Sequence, residues 1–250
     1  MKISTSLTNR KAEWSGVITM LCLWKVGSLL SGNLLFPTPE ETIVETYALL
    51  RESHFLIIVG HTLLRGLAGF VLSAITGIGM GYCAGRFAFF EGMNRPALNF
   101  VKATPVMSII ILMLIWFDTN TIPIVVSFLV SYPMVYSNVM QGTKSVDWNW
   151  IEMATVYNVS HVRIFLHIYI PAIMPYLLAS LNTAMGIGWK AVIASEVLLQ
   201  PRKSIGEQLM NAKSELDFVK VFAWTLIAII LSYFFDKVFR TLESRLIRWQ

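Results

Sequence analysis

Residues 152–196 read EMATVYNVSHVRIFLHIYIPAIMPYLLASLNTAMGIGWKAVIASE, and this stretch decides the fold. Asp147, just upstream, is suited to cap a short helix from about Trp148 to Tyr157, because a carboxylate can accept from the free N–H groups of a first turn. Asn158 follows where a chain leaving a helix needs a left-handed turn, and Asn is the best substitute for Gly there. Ser160 is placed to cap a second short helix that carries Phe165. Pro171 and Pro175 then suit the start of a long apolar helix, whose first turn does not use the N–H that Pro lacks. The pattern predicts helix, turn and helix, followed by a membrane span.

Composition agrees with a membrane location. Of 250 residues, 55% are hydrophobic and 14% charged, against roughly 25% charged in ordinary soluble domains; the mean hydropathy is +0.61. Six apolar spans are expected, at about 14–34, 57–84, 99–117, 121–141, 172–198 and 219–240, each near the roughly 20 apolar residues that a crossing helix needs. Because backbone facing lipid must satisfy its own polar groups, these spans are expected to be helices. The whole of 1–250 then forms one all-α transmembrane domain, with 142–171 its longest loop between neighbouring spans. The basic start (Lys2, Arg10, Lys11) leads into an apolar run with no small-residue cleavage site after it, which reads as an uncleaved first span. Cys22 and Cys83 form no CxxC motif and no disulfide framework.

The formal net charge of +5 does not point to nucleic acid, because the basic residues lie between spans. With the N-terminus inside, the cytoplasmic set is Lys2, Arg10, Lys11, Arg86, Arg95, Lys102, Lys144, Arg163, Lys237, Arg240, Arg245 and Arg248; the outer set is Arg51, Arg202, Lys203, Lys213 and Lys220. Lys and Arg accumulate on the cytoplasmic side of membrane proteins, so both termini and the 142–171 loop are expected in the cytoplasm.

The segment from Glu152 to Pro175 resembles the EAA loop of permease subunits of bacterial ABC importers: Glu152, Ala154, a turn-former six residues after the Glu, an aromatic at 165, and Ile170-Pro171 before Pro175. Further segments are similar to the nitrate, sulfonate and taurine permease group. They are Leu35-Phe36-Pro37-Thr38-Pro39, His61-Thr62-Leu63-Leu64-Arg65 with Gly69-Phe70, Gly77-Ile78 and Gly81, Ile115-Trp116-Phe117, and Trp189-Lys190-Ala191 with Glu196. Met153 and Asn158 depart from the usual Ala and Gly of the motif, the third span lacks a second Pro after Pro105, and Asp118 stands where Gly is usual. The resemblance implies a type I ABC importer permease fold in a bacterial inner membrane, with two copies forming the pore. It implies an ATPase partner that carries ATP and Mg, an extracytoplasmic substrate-binding protein, and Glu152, Met153, Ala154, Tyr157, Asn158, Ser160 and Phe165 as the coupling residues. Ala154 is expected to keep one face small for close approach to the ATPase. No cofactor is implied for this chain.

Charges inside apolar spans are costly and usually face protein or a water-filled cavity. Gly186, Gly188, Trp189, Lys190, Glu196 and Arg65 are therefore candidates for the translocation path or its gate. Lys190 also admits a reading as a side chain snorkelling to the outer interface, and Arg65 one as a structural link between helices. Lys190 and Glu196, six apart, do not share a helix face. The methionines read as packing, and His54 and His61 have no third ligand beside them, so no metal site is expected. No G-x-x-x-x-G-K-[ST] loop or hydrolase motif occurs, so the chain is not itself the ATPase. The alternative function is an ATP-independent channel or secondary transporter, which would call for inverted repeats. The charge asymmetry makes a direct prediction. A reporter active only outside the membrane is expected to be silent when fused after Gln250 and active when inserted near Glu207; the reverse pattern overturns the orientation.

Overall fold

The computed structural model describes residues 2–31 and 35–246, with side chains for 15–31, 35–238 and 241. The chain is helical throughout these residues: α1 Lys2–Leu30, α2 Pro39–Leu50, α3 Phe55–Arg86, α4 Ala88–Ala103, α5 Val106–Met113, α6 Ile122–Lys144, α7 Trp148–Val156, α8 His161–Ile164, a π-helical turn Phe165–Tyr169, α9 Ile170–Leu199, α10 Ile205–Ser214 and α11 Phe218–Leu246. Of the basic residues counted above, Arg248 lies outside the described residues, as do the side chains of Lys2, Arg10, Lys11, Arg240 and Arg245.

Two compact units are present. The smaller comprises residues 1–56 and 208–229. Its 35–39 turn is fastened to α1, with Ser28 Oγ donating to the Phe36 carbonyl at 2.7 Å and Trp24 Nε1 to the Pro37 carbonyl at 3.0 Å. Phe36 and Phe222 meet edge to face at 5.2 Å, with Trp24 against both. Thr38 caps α2 in a reciprocal box: its hydroxyl accepts from Glu41 N–H while the Glu41 carboxylate accepts from Thr38 N–H, and Pro39 fills the first turn. Lys25 pairs with Glu40 at 2.6 Å.

The larger unit comprises residues 57–207 and 230–250. Here α3 lies against α6 along a row of small residues. A Cβ on Gly77 would come within 2.9 Å of Val135, and one on Gly81 within 2.8 Å of the Tyr136 carbonyl. Gly69 faces Ile124 and Ser127, and Gly85 faces Thr143, more closely still. Residue numbers rise together along both helices, so α3 and α6 run parallel. Helix α9 runs antiparallel to α6: Ser131 Oγ donates to the Ala184 carbonyl at 3.1 Å, while Gly142 meets Ile173 and Tyr176. Small side chains let backbones approach this closely where burial of apolar surface drives little.

Four helices are long and apolar enough to cross a membrane among the described residues: Phe55–Arg86, Ile122–Lys144, the continuous His161–Leu199 and Phe218–Val238. The expected third span, 99–117, is not one helix. Helices α4 and α5 meet at 102°, because Pro105 removes a donor and Thr104 before it is extended at ψ 128°. Helix α4 covers the Lys144 half of α6, through Glu91–Lys144 at 2.7 Å and Lys102–Ser137 at 3.1 Å. Helix α5 covers the Ile122 half, where Ile109 and Ile110 pack on Ile122 and Val126. Since α3 and α6 are parallel, residues 87–121 carry the chain from one end of the bundle to the other in spite of the bend. Of the expected first span, the apolar described part is Ser15–Leu30, shorter than a full crossing; residues 32–34 are outside the described set. The fifth starts at His161 rather than 172, so Pro171 and Pro175 lie within a continuing helix. The π turn stands directly before Pro171, where a missing donor disturbs the regular ladder.

The glycine row gives a sharp comparison. Gly81→Val pushes a branched side chain into the Tyr136 carbonyl and Val139 and is expected to cost about 1–3 kcal/mol or more. Gly79→Ala, where nothing stands within 4 Å, is expected to be silent. Thermal unfolding midpoints of the detergent-purified protein separate the two.

Candidate functional site

At the Arg86 end of the larger unit, α7 is set by its two termini. Asp147 caps it as expected, Oδ1 accepting from Asn149 N–H at 3.0 Å. Asn158 has φ 53°, its N–H donates to the Thr155 carbonyl at 3.0 Å, and Val159 N–H donates to the Ala154 carbonyl at 2.9 Å. These paired bonds are a Schellman closure with Asn in the left-handed position. Ser160 stands at the N-cap position of α8, but its side chain makes no capping bond; its carbonyl accepts from Ile164 N–H instead. The second short helix also has no end of its own, since it continues through the π turn into α9.

The faces of α7 are distinct. Ala154 is only 6% exposed and sits with Ile151, Ile164, Tyr169 and Ile173 in the unit's own core. This corrects the expectation that Ala154 offers a small surface to a partner: its smallness serves packing within the chain. Met153 is 47% and Tyr157 76% exposed, with Trp150 and Val156 beside them, so the outward surface is apolar and uncovered. Glu152, exposed, lines a cleft of about 410 Å³ together with Tyr82, Arg86, Trp148, Thr155 and His161. The Arg86 guanidinium lies 5.6 Å from the Trp148 ring centroid, within cation–π range. Phe165 meets Tyr82 edge to face at 4.9 Å and is partly exposed. The structure thus brings Glu152, Met153, Tyr157, Asn158, Ser160 and Phe165 to one end of the bundle, and turns Ala154 inward.

The candidate path residues fall on two faces of α9. Gly188 and Trp189 are turned into the bundle: a Cβ on Gly188 would meet Ser131 Oγ at 2.6 Å, and Trp189 packs on Phe235 with ring centroids 5.5 Å apart. Gly186 borders open space, and Lys190 and Ile187 are exposed. Ile187 also lines a second cleft, about 350 Å³, at the α4–α5 break, with Lys102, Thr104, Val130 and Met134. Lys102 and Thr104 were not singled out from the sequence, though Pro105 beside them was the available signal.

Glu196 and Arg65 come together at the opposite end. Glu196 is 0% exposed, and its carboxylate accepts from Arg65 Nη1 at 3.0 Å, Thr62 Oγ1 at 2.9 Å and Gly206 N–H at 3.4 Å. Arg65 Nη2 donates to Asn120 Oδ1 at 2.9 Å and to the Arg202 carbonyl at 3.2 Å. Thr62 Oγ1 in turn accepts from Ile205 N–H at 3.0 Å. Asn120 is placed by Asp118, whose Oδ1 accepts from the N–H groups of Asn120 and Thr121, each at 2.8 Å. Bonds from Thr121, backbone first, hold the Asp118 carboxyl below its ordinary range. A buried charge pair persists only when its remaining donors and acceptors are met, and this cluster meets them from four chain segments. Lys190 and Glu196 stand on different faces, as their spacing predicts.

Residues 69–248 match the family described as binding-protein-dependent transport system inner membrane component. The chain belongs to that family. It is an all-helical, multi-pass inner-membrane permease component of an ABC transport system, and not itself an enzyme. It is 26% identical over 221 residues to a probable ABC transporter permease of Brucella abortus, covering 88% of each chain. It is 27% identical over 237 residues to the putative aliphatic sulfonates transport permease of Bacillus subtilis, covering 92% of this chain and 84% of that one. With the taurine transport system permease of Escherichia coli it shares 23% over 267 residues, 99% of this chain and 97% of the other. This permease's α7 yields a comparison that separates packing from surface: Ala154→Trp overfills the core against Ile164 and Tyr169 and is expected to cost about 1–3 kcal/mol or more. Val156→Trp, on the exposed face, is expected to leave the unfolding free energy of the purified protein within about 0.5 kcal/mol of the parent.

Proposed function

We propose that this permease works as one of two copies in an ATP-driven importer, and that it forms the path for a small anion of the nitrate, sulfonate or taurine kind delivered by an extracytoplasmic binding protein. In this reading the chain crosses the inner membrane six times with both termini in the cytoplasm. The return of residues 87–121 along the α3–α6 pair supports a crossing built from α4 and α5. The eleven basic residues of the cytoplasmic set other than Lys102, Arg86, Arg95, Lys144 and Arg163 of the larger unit among them, support the orientation.

The observation that carries the coupling assignment is the uncovered apolar face of α7. Met153, Val156 and Tyr157 stand exposed on a helix whose opposite face is buried in the chain's own core. Exposed apolar surface rimmed by polar groups marks a protein or membrane contact; α7 fits the former, because Asn158 joins it to the 39-residue helix that begins with α8 and ends at Leu199. An ATPase holding ATP and Mg is the partner that the family description and the EAA-like motif support, with Glu152 at the rim of the contact. Movement of the ATPase would then reach the spans through that helix and shift the equilibrium between inward-open and outward-open states. The solute path is assigned to the open side of α9 at Gly186 and Lys190 and to the cleft at the α4–α5 break, where Lys102 and Lys190 suit an anion. The anion itself is supported by the functions of distant relatives, among them a nitrate import permease of Synechococcus elongatus, 26% identical over 189 residues.

Met153→Asp and Tyr157→Asp place charge in the centre of this surface. Such anchor positions commonly carry about 2 kcal/mol or more of binding, so each variant is expected to weaken ATPase association at least about tenfold and to abolish uptake, at normal membrane levels and unfolding midpoint. Co-purification of the ATPase with the membrane complex and solute uptake are the measurements. Full association and transport in both variants would remove the coupling assignment and return the reading to an ATP-independent channel or secondary transporter.

A further inference from the structure

The turn at residues 200–206 is held far more firmly than a surface connection needs. The Arg202 carbonyl, Ile205 N–H and Gly206 N–H all bond into the buried cluster of Thr62, Arg65 and Glu196. Pro201, Ser204, Ile205 and Gly206 are buried, while Arg202 and Lys203 between them are exposed. Gln200 and Lys203 have φ 49° and 58°. Non-glycine residues stay in the left-handed region only where their surroundings over-determine them, and they gather at clamps and binding sites. Glu207 completes the hold, its carboxylate accepting from Lys203 N–H at 2.6 Å. The result is a rigid turn that displays two adjacent cationic side chains. Among the described residues neither forms an ion pair within the chain.

We propose that Arg65 and Glu196 are positioning residues for partner docking: their buried cluster presents Arg202 and Lys203 as a preformed cationic pair that receives an acidic patch on the extracytoplasmic binding protein. This rests on the orientation and the binding-protein dependence given under Proposed function. Loops on the outer face of membrane proteins are depleted of Lys and Arg, so two adjacent cations on a strained, fully anchored turn call for an anionic counterpart. At the end of the bundle opposite the coupling surface, the soluble protein that delivers the solute is the macromolecule that must dock. Charges at the rim of such a contact act on association rate and on its salt dependence. Anchoring the turn in advance removes the ordering cost that a flexible loop would bring to binding.

The test uses the complete complex with its ATPase, reconstituted in vesicles of neutral lipid and, separately, of neutral lipid with anionic lipid. Transport is measured against binding-protein concentration at low and high salt. The double variant Arg202→Glu/Lys203→Glu is expected to raise the half-saturating binding-protein concentration by at least about tenfold at low salt, with the saturated rate within about twofold, and to invert the salt dependence. Arg65→Lys keeps the buried charge but lacks the fork that reaches Glu196 and the Arg202 carbonyl together. It is expected to raise the half-saturating concentration while keeping the parent's salt dependence, because both cations remain but are no longer held. An unchanged half-saturating concentration in the double variant overturns the proposal, and so does a fallen saturated rate at unchanged half-saturation, which would place these residues in translocation. An effect seen only with anionic lipid assigns the pair to the membrane surface and also overturns it. If the unaltered complex transports equally without binding protein, the functional reading itself fails, and the proposal with it.

Discussion

The contact between α3 and α6 at Gly69, Gly77, Gly81 and Gly85 is the constraint on which the larger unit depends. Every fourth or eighth residue along α3 must lack a side chain for the Ser127, Val135, Tyr136, Val139 and Thr143 surface to approach. Two helices this close in a parallel sense cannot be joined by a short loop, so residues 87–121 are obliged to travel back along them. That return is made in two pieces because Pro105 forbids one straight helix. The break leaves the cleft beside Lys102 and Thr104 halfway along α6. A single packing requirement thus fixes which ends of α3, α6 and α9 lie together, and with them the placing of α7 and of the Glu196 cluster at opposite ends.

The buried ion pair follows a different logic. Removing one member of such a pair leaves a charge without compensation and costs about 3–5 kcal/mol, although replacing both by apolar side chains is often neutral. Arg65 and Glu196 are therefore weak as sources of stability and strong as sources of geometry. Each bond in the cluster has a direction, and the set ties α3, the 118–121 turn, the end of α9 and the 200–206 turn into one arrangement. Gly206 adds a steric condition, since a Cβ there would run into the Glu196 backbone.

Much of this was legible in sequence because its causes are local. Asp147 and Asn158 act within their own turn, so the limits of α7 could be read to within a residue. The strongly apolar span 57–84 lies within two residues of α3's ends despite Arg65 inside it. What could not be read depends on long-range contact. The inward turn of Ala154 is decided by Ile164, Tyr169 and Ile173, and a motif that specifies a small residue does not say which side needs it small. The pairing of residue 65 with 196 crosses 131 positions, and only the presence of two opposite charges in separate apolar spans hinted at it. Pro171 stands in the first turn of α9, where Pro is least costly, and Pro175 within it; that a π turn joins this start to α8 without a break is not visible in the local sequence. The capped α2 and the broken α4–α5 pair fell in stretches that hydropathy alone treats as linker or as one span.

The helix from His161 to Leu199 gives these two ends a mechanical relation. Its 39 residues span about 58 Å at 1.5 Å per residue, well beyond the roughly 30 Å of bilayer hydrocarbon. One end is anchored beneath α7 by Ile164 and Tyr169, and the other carries Glu196 into the buried cluster. Between them stand the features at which a helix bends: the π turn, Pro175 and the uncrowded Gly186. A displacement of α7 is therefore not absorbed at a loose joint, because Asn158 and Val159 close its end by two backbone bonds. The helix that follows carries these bend-permitting features in its middle and is held at its far end by the Glu196 cluster. Gly186 and Lys190 thus stand on the open side of this helix, between one end closed by backbone bonds and another held by the buried cluster.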